Sequence, residues 1–208
     1  VIVSVTVKAY DVLPYTSFDF AYKTTADSDT FWTMVAYFNH QLPRLVKSGL
    51  MGYFYVTPFD SLEPNATMQG KLYGEWLAPN MTLDQVRQHL APMEEYIKSA
   101  DLADAVFVSG NGEELPDYTK GFAVNNNPDT AGIPVRLSSR LLDEQALSKP
   151  VSELKVALRK ASGGSARWPI LGHVIAGPGT WSPRGGIAGG SNAVLPAWRK
   201  ACMQIGKS

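Results

Sequence analysis

Cysteine is almost missing from this chain: Cys202 stands alone among 208 residues. One thiol excludes an internal disulfide framework and a cysteine-based structural zinc site within the chain. Long hydrophobic runs are missing too, and nothing approaches the roughly 20 apolar residues of a membrane span, so no membrane partner is expected. Neither sign of charge prevails, since 19 basic and 19 acidic residues give a formal net charge of zero. No basic block interrupts that balance, and a nucleic-acid partner is set aside because phosphate recognition leaves a clustered basic footprint. Histidine occurs three times, and no metal site is predicted.

What is present suits an ordinary globular protein. Apolar residues make up 45% of the sequence, and the mass of 22.6 kDa is enough for one substantial core. The chain opens on Val1-Ile2-Val3-Ser4-Val5-Thr6-Val7-Lys8-Ala9-Tyr10, whose β-branched residues alternate with Ser4 and Thr6 as in a strand with a buried face. Such a strand needs neighbours, so we expect these residues to be one domain of something larger. A mature chain trimmed after a signal peptide is the alternative. Two sequons, Asn65-Ala66-Thr67 and Asn80-Met81-Thr82, lie in loop-like sequence and tilt the expectation toward a secreted, glycosylated protein.

Helical spacing of apolar residues at 31, 34, 35, 38, 42, 45 and 46 predicts an amphipathic helix capped by Asp29, closed at Ser48-Gly49, and kinked or broken at Pro43. Leu50 to Pro58 and Thr67 to Leu77 read as the strands of a hairpin. Thr82 and Gln85 form a capping box for a second helix with Val86, Leu90, Met93 and Ile97 as its buried stripe. Residues 109–134, rich in Gly and Asn, read as a long irregular excursion. Further strands are predicted over Ile133–Leu142, Trp168–Gly177 and Trp198–Ile205, with a helix from Val151 and a glycine-rich loop over Pro178–Ser191. No internal repeat or second core is visible. The pattern predicts an α+β fold, a mostly antiparallel sheet with helices packed on one face.

Three ordered segments carry a resemblance: Gly52-Tyr53-Phe54-Tyr55-Val56-Thr57-Pro58, Val135-Arg136-Leu137-Ser138-Ser139-Arg140-Leu141-Leu142 and Asn192-Ala193-Val194-Leu195-Pro196-Ala197-Trp198-Arg199. Together they resemble the C-terminal, substrate-binding half of the FAD-linked oxidases of the vanillyl-alcohol oxidase and berberine-bridge enzyme superfamily. The likeness is greatest to secreted fungal members, including those labelled isoamyl alcohol oxidases, and it covers nearly the whole chain. It implies that residues 1–10 end a flavin-binding region and that 11–208 form a substrate-binding cap. It also implies that the flavin-binding N-terminal domain and a short C-terminal segment are absent from these residues, and that this chain alone holds no FAD and is inactive. The parent would oxidise an alcohol, sugar or related small molecule, pass hydride to FAD and reduce oxygen to hydrogen peroxide. Its missing flavin-binding half would be a partner of this chain, and a homodimer is left open. A flavin-free binding module, or an inactive truncated relative, is the competing reading.

Hydride removal from an alcohol needs a base near the hydroxyl. Glu75, the only carboxylate inside a predicted strand, is the first candidate, with Tyr73 beside it and His173 as a further proton carrier. Ion pairing or a structural hydrogen bond is the ordinary alternative for each. Tyr53 and Tyr55 share one sheet face and are candidates to line a substrate pocket, against plain aromatic packing. Arg140 and Arg199, with Arg136, lie in the resembling segments and are candidate anchors for substrate or reduced-flavin charge. The resemblance places Gln204 near a pocket tyrosine of other relatives. Some relatives carry a basic carboxylate near the glycine-rich loop, where Thr180–Ser191 has no Asp or Glu. His40 and His89 fall on helices and are read as peripheral.

Overall fold

The computed structural model describes residues 2–6, 11–25, 28–58, 69–99, 106–120, 137–163, 169–181 and 194–207. Seven strands form one antiparallel sheet: β1 (Tyr15–Thr25), β2 (Met51–Thr57), β3 (Gln69–Pro79), β4 (Val106–Leu115), β5 (Ser138–Asp143), β6 (Ile170–Val174) and β7 (Ala201–Lys207). Their order across the sheet is β4-β1-β3-β2-β6-β7-β5. The helices are α1 (Asp29–Lys47), α2 (Leu83–Ile97), α3 (Glu144–Leu147), α4 (Val151–Ser162) and α5 (Pro178–Trp181), with a 3-10 turn at Pro196–Arg199. The predicted α+β architecture is what the chain adopts.

The long helix α1 forms because its apolar positions face one way and Ser28, not Asp29, caps its start, accepting from the Phe31 amide at 3.0 Å. The Asp29 carboxylate instead accepts from Lys155 Nζ of α4 at 2.8 Å. Of the kink or break expected at Pro43, the break does not occur: burial of Leu42, Pro43, Leu45 and Val46 holds the helix continuous through the missing backbone bond. Ser48 and Gly49 close it, Gly49 at φ 98°. In α2 the capping box of Thr82 and Gln85 is present and its four predicted stripe residues are buried. No helix among the described residues is long and apolar enough to cross a membrane.

The core lies between α1 and the sheet. Phe20 of β1, Phe54 of β2 and Trp76 of β3 surround Phe38 of α1, with ring centroids 5.5, 4.8 and 5.9 Å away. Alternation along each strand sends these residues to the helix side and leaves the opposite face uncovered by the described helices. β2 and β3 pair as the predicted hairpin strands, while the sequon at Asn65 lies outside the described residues.

Three expectations need correction. Strand β1 was not foreseen, although Phe18, Phe20 and Tyr22 alternate with Ser17, Asp19 and Ala21. The excursion read from 109 onward is in part strand β4, which pairs with β1 along Tyr15–Lys23. Its turn-type glycines serve packing, since a Cβ on Gly112 would sit 2.2 Å from Leu83 Cδ1 and 2.9 Å from the Phe18 ring. Finally, residues 2–6 of the opening segment are not strand; they pair with no described strand, and Val3 is 93% exposed. Among the described residues β5 begins at Ser138 and β6 ends at Val174, short of the predicted Gly177, while 133–136 and 168 lie outside them; Trp198 belongs to the turn before β7.

Phe38→Ala removes the ring on which three strands converge, and is expected to cost about 3–5 kcal/mol in denaturant unfolding. Val156→Ala on α4, where the side chain is 66% exposed, is expected to stay within about 0.5 kcal/mol.

Candidate functional site

On the helix-free face, strand register aligns one polar row across six strands. Asn111 of β4 opposes Asp19 of β1, which opposes Glu75 of β3. Glu75 opposes Tyr53 of β2, Tyr53 opposes His173 of β6, and His173 opposes Gln204 of β7. Cross-strand partners on one face are direct neighbours, so residues far apart in sequence become adjacent.

Glu75 is the centre of this row. It is 5% exposed, and its Oε1 accepts from Ser17 Oγ at 2.5 Å. Tyr53 also hydrogen-bonds the Glu75 carboxylate. A buried carboxylate needs such donors, because leaving it without them in a low-dielectric site is costly. The Tyr53 phenol is pushed up to about 12, first by burial, then by the Glu75 charge and by donating to it, with smaller effects from Tyr55 and Asp19. At ordinary pH Tyr53 is therefore a proton donor. The expectation that Glu75 is the only strand carboxylate is corrected: Asp19 and Glu113 lie in strands too, and Asp19 is its exposed neighbour.

The aromatic neighbours form a short ladder. Tyr53 meets Tyr55 edge-on at 5.9 Å, and Tyr55 stacks on Tyr73 at 5.2 Å. Lys71 Nζ sits over the Tyr73 ring, 4.3 Å from its centroid. Tyr73 is thus engaged by stacking, while Tyr53, 37% exposed, and Met51, 42% exposed, present their surface outward. His173 is half-buried on the same face, and Gln204 Nε2 donates to Ser139 Oγ at 3.1 Å.

The arginines lie elsewhere. Arg140 opposes Ile205 and lines a cleft with Ala161 and Ile170, on the helix-covered side of β5. Arg199 donates to the Thr180 carbonyl at 2.9 Å and ties the 3-10 turn to α5. Neither joins the tyrosine row, and Arg136 falls outside the described residues. His40 Nδ1 lies 3.2 Å from the Lys149 carbonyl on the helical side. Ser17 was missed by sequence reasoning because β1 was missed; the alternation around Phe18 and Phe20 was the signal that locates it. No group of three or more His, Cys, Asp or Glu among the described residues is placed to hold a metal ion.

A seven-stranded antiparallel sheet with helices packed on one face is a fold shared with VAO-type flavoproteins. The flavoprotein MtVAO713 from Myceliophthora thermophila C1 superposes with a TM-score of 0.79 at 20% identity, over 95% of this chain and 34% of that one. In sequence the chain is related to FAD-linked oxidoreductases. It is 24% identical over 207 residues to patO of Aspergillus clavatus, covering 99% of this chain and 33% of patO. It is 27% identical over 210 residues to apf9 of Gibberella fujikuroi, covering 98% of this chain and 35% of apf9. The chain therefore spans about a third of the length of these relatives. No family model matches it. The half-exposed ring of Tyr53 on the helix-free face offers an aromatic surface that a planar ring could lie against.

Well below pH 10 the Tyr53 phenol is protonated in both the folded and the unfolded chain, and its contribution to stability is complete. Because the folded Tyr53 phenol ionises at about 12 against an ordinary 10.0, stability is expected to fall as pH rises through that window. Near-ultraviolet difference titration should show a late group of tyrosines, raised by burial at Tyr53, Tyr22, Tyr15 and Tyr37, which Tyr53→Phe reduces by one and in which Glu75→Gln moves one toward the ordinary value.

Proposed function

We propose that this chain is the substrate-binding portion of an FAD-dependent oxidase acting on an alcohol, sugar or related small molecule. The observation that carries this reading is the buried Glu75 carboxylate, held by Ser17 and Tyr53 on the only sheet face that the described helices leave open. Its relatives are FAD-linked oxidoreductases, which supports the cofactor.

In this reading the substrate hydroxyl docks against the Glu75–Tyr53 pair. Glu75 accepts the hydroxyl proton as the carbinol carbon is oxidised to a carbonyl. Ser17 and Tyr53 keep their donors on the Glu75 carboxylate, so its lone pairs stay aimed at one place and it need not reorganise during the proton transfer. Tyr55 and Tyr73 wall the site and exclude water, and His173 lies beside Tyr53 as a second group able to carry the proton toward solvent. FAD, when bound, supplies the hydride acceptor and passes the electron pair to oxygen as hydrogen peroxide.

Secretion belongs to the same proposal. Asn80 is exposed in the turn between β3 and α2, at φ 56°, with its amide donating to the Pro14 carbonyl at 2.8 Å. A glycan there meets no core residue. Protein expressed through a eukaryotic secretory route is expected to lose mass on treatment with an N-glycosidase, and Asn80→Gln is expected to remove one of the glycans.

The base assignment is tested in the flavin-loaded protein by anaerobic stopped-flow reduction. Glu75→Gln should slow flavin reduction by about 10²–10⁴-fold while leaving the flavin spectrum unchanged. Ser17→Ala should slow it less. An unchanged reduction rate in Glu75→Gln overturns the assignment.

A further inference from the structure

Two residues along the strands from the Glu75–Tyr53 pair, the helix-free face opens into a cavity of about 270 Å³. Met51 of β2 and Leu77 of β3, themselves cross-strand partners, form its floor. Leu13, Tyr15, Pro79 and Tyr118 complete its walls, and Tyr15 and Tyr118 meet with ring centroids 5.8 Å apart. We propose that this cavity is the specificity pocket for the non-reacting part of the substrate, and that it takes a single uncharged aromatic ring or short alkyl group while rejecting sugars and carboxylates. The inference rests on the functional reading above and deepens it.

Position makes the first argument. Two residues of strand span about 7 Å, so a group seated over Met51 and Leu77 lies one short linker away from a hydroxyl held at Glu75. Size makes the second. The volume lies just below the range of pockets that enclose drug-sized ligands, which leaves room for one ring and too little for an oligosaccharide. Charge makes the third. Among the described residues Asp11 and Asp117 stand on the lining, and no Lys, Arg or His does. The field there is negative enough that, after burial itself, Glu75, Tyr118, Asp117 and Glu113 all favour the protonated Tyr15 phenol. A carboxylate entering would lose water and meet carboxylates. A sugar would set its hydroxyls against the apolar floor of Met51, Leu77 and Pro79, where only the wall groups Asp11, Asp117, Thr119 and the two tyrosine hydroxyls could take them.

The test is ligand-observed NMR titration of the purified protein with three probes: 3-phenylpropan-1-ol, 3-phenylpropanoate and glucose. The alcohol is expected to bind at least about tenfold more tightly than either of the others, a ratio within reach of one apolar pocket. Leu77→Trp, which fills the cavity, should abolish that preference, and Met51→Trp should do the same from the opposite strand. Circular dichroism on both variants guards against misfolding, and one folded variant suffices. Equal binding of 3-phenylpropanoate, or an unchanged preference in a folded filled variant, overturns the pocket. Because this readout needs no turnover, it fails separately from the base assignment: Glu75→Gln can leave flavin reduction intact while the probe preference stands, and the reverse.

Discussion

The ring of Phe38 is the contact on which this architecture depends. One helix, α1, crosses the middle of the sheet, and Phe38 is where it meets β1, β2 and β3 through Phe20, Phe54 and Trp76. Aromatic groups at these separations combine large buried area with favourable edge and offset contacts. With α1 seated there, every even position of β1 and β2 turns toward the helices. The odd positions have no choice but the other face, because the side-chain period of a strand is two.

The polar row follows from that seating together with strand register. A slip of one residue in β3 would send Glu75 into the aromatic core and Trp76 out to the open face. Burial of Trp76 thus fixes the orientation of its neighbour Glu75. The carboxylate tolerates its own burial because Ser17 and Tyr53, from the strands on either side, both donate to it. The same three strands that grip Phe38 on one side therefore hold the donors around Glu75 on the other. Stability and candidate chemistry are two faces of one set of pairings.

Much of this was legible in the sequence where local patterns are strong. The capping box of α2 and its buried stripe, the apolar face of α1, the β2–β3 pairing and the nomination of Glu75, Tyr53 and Tyr55 all rest on periodicity and capping chemistry. What escaped depended on partners distant in sequence. Gly110 and Gly112 look like turn residues, yet they sit in β4 opposite Phe20 and Phe18, and at Gly112 a side chain would collide with Leu83 and Phe18. Residues 2–6 satisfy the strand pattern and still pair with no described strand, because alternation describes a surface and not the neighbour that covers it. Ser17 could not be nominated without β1, and Arg140 was nominated without the register that puts it opposite Ile205, away from the tyrosines.

The register of the row also bears on how the molecule is assembled. Its members are drawn from Asp19 near one end of the sequence to Gln204 near the other, and β1 finds β4 only after Tyr15 meets Leu115. Such pairings close long loops before they gain any contact energy, which makes folding slow relative to a helical domain of similar size. On the ribosome the β2–β3 hairpin is available early, but β6 and β7 are synthesised last. Tyr53 can hold Glu75 early, yet the surroundings of that pair stay unfinished until β6 and β7 have emerged. A nascent chain therefore carries the catalytic candidate before it carries the site.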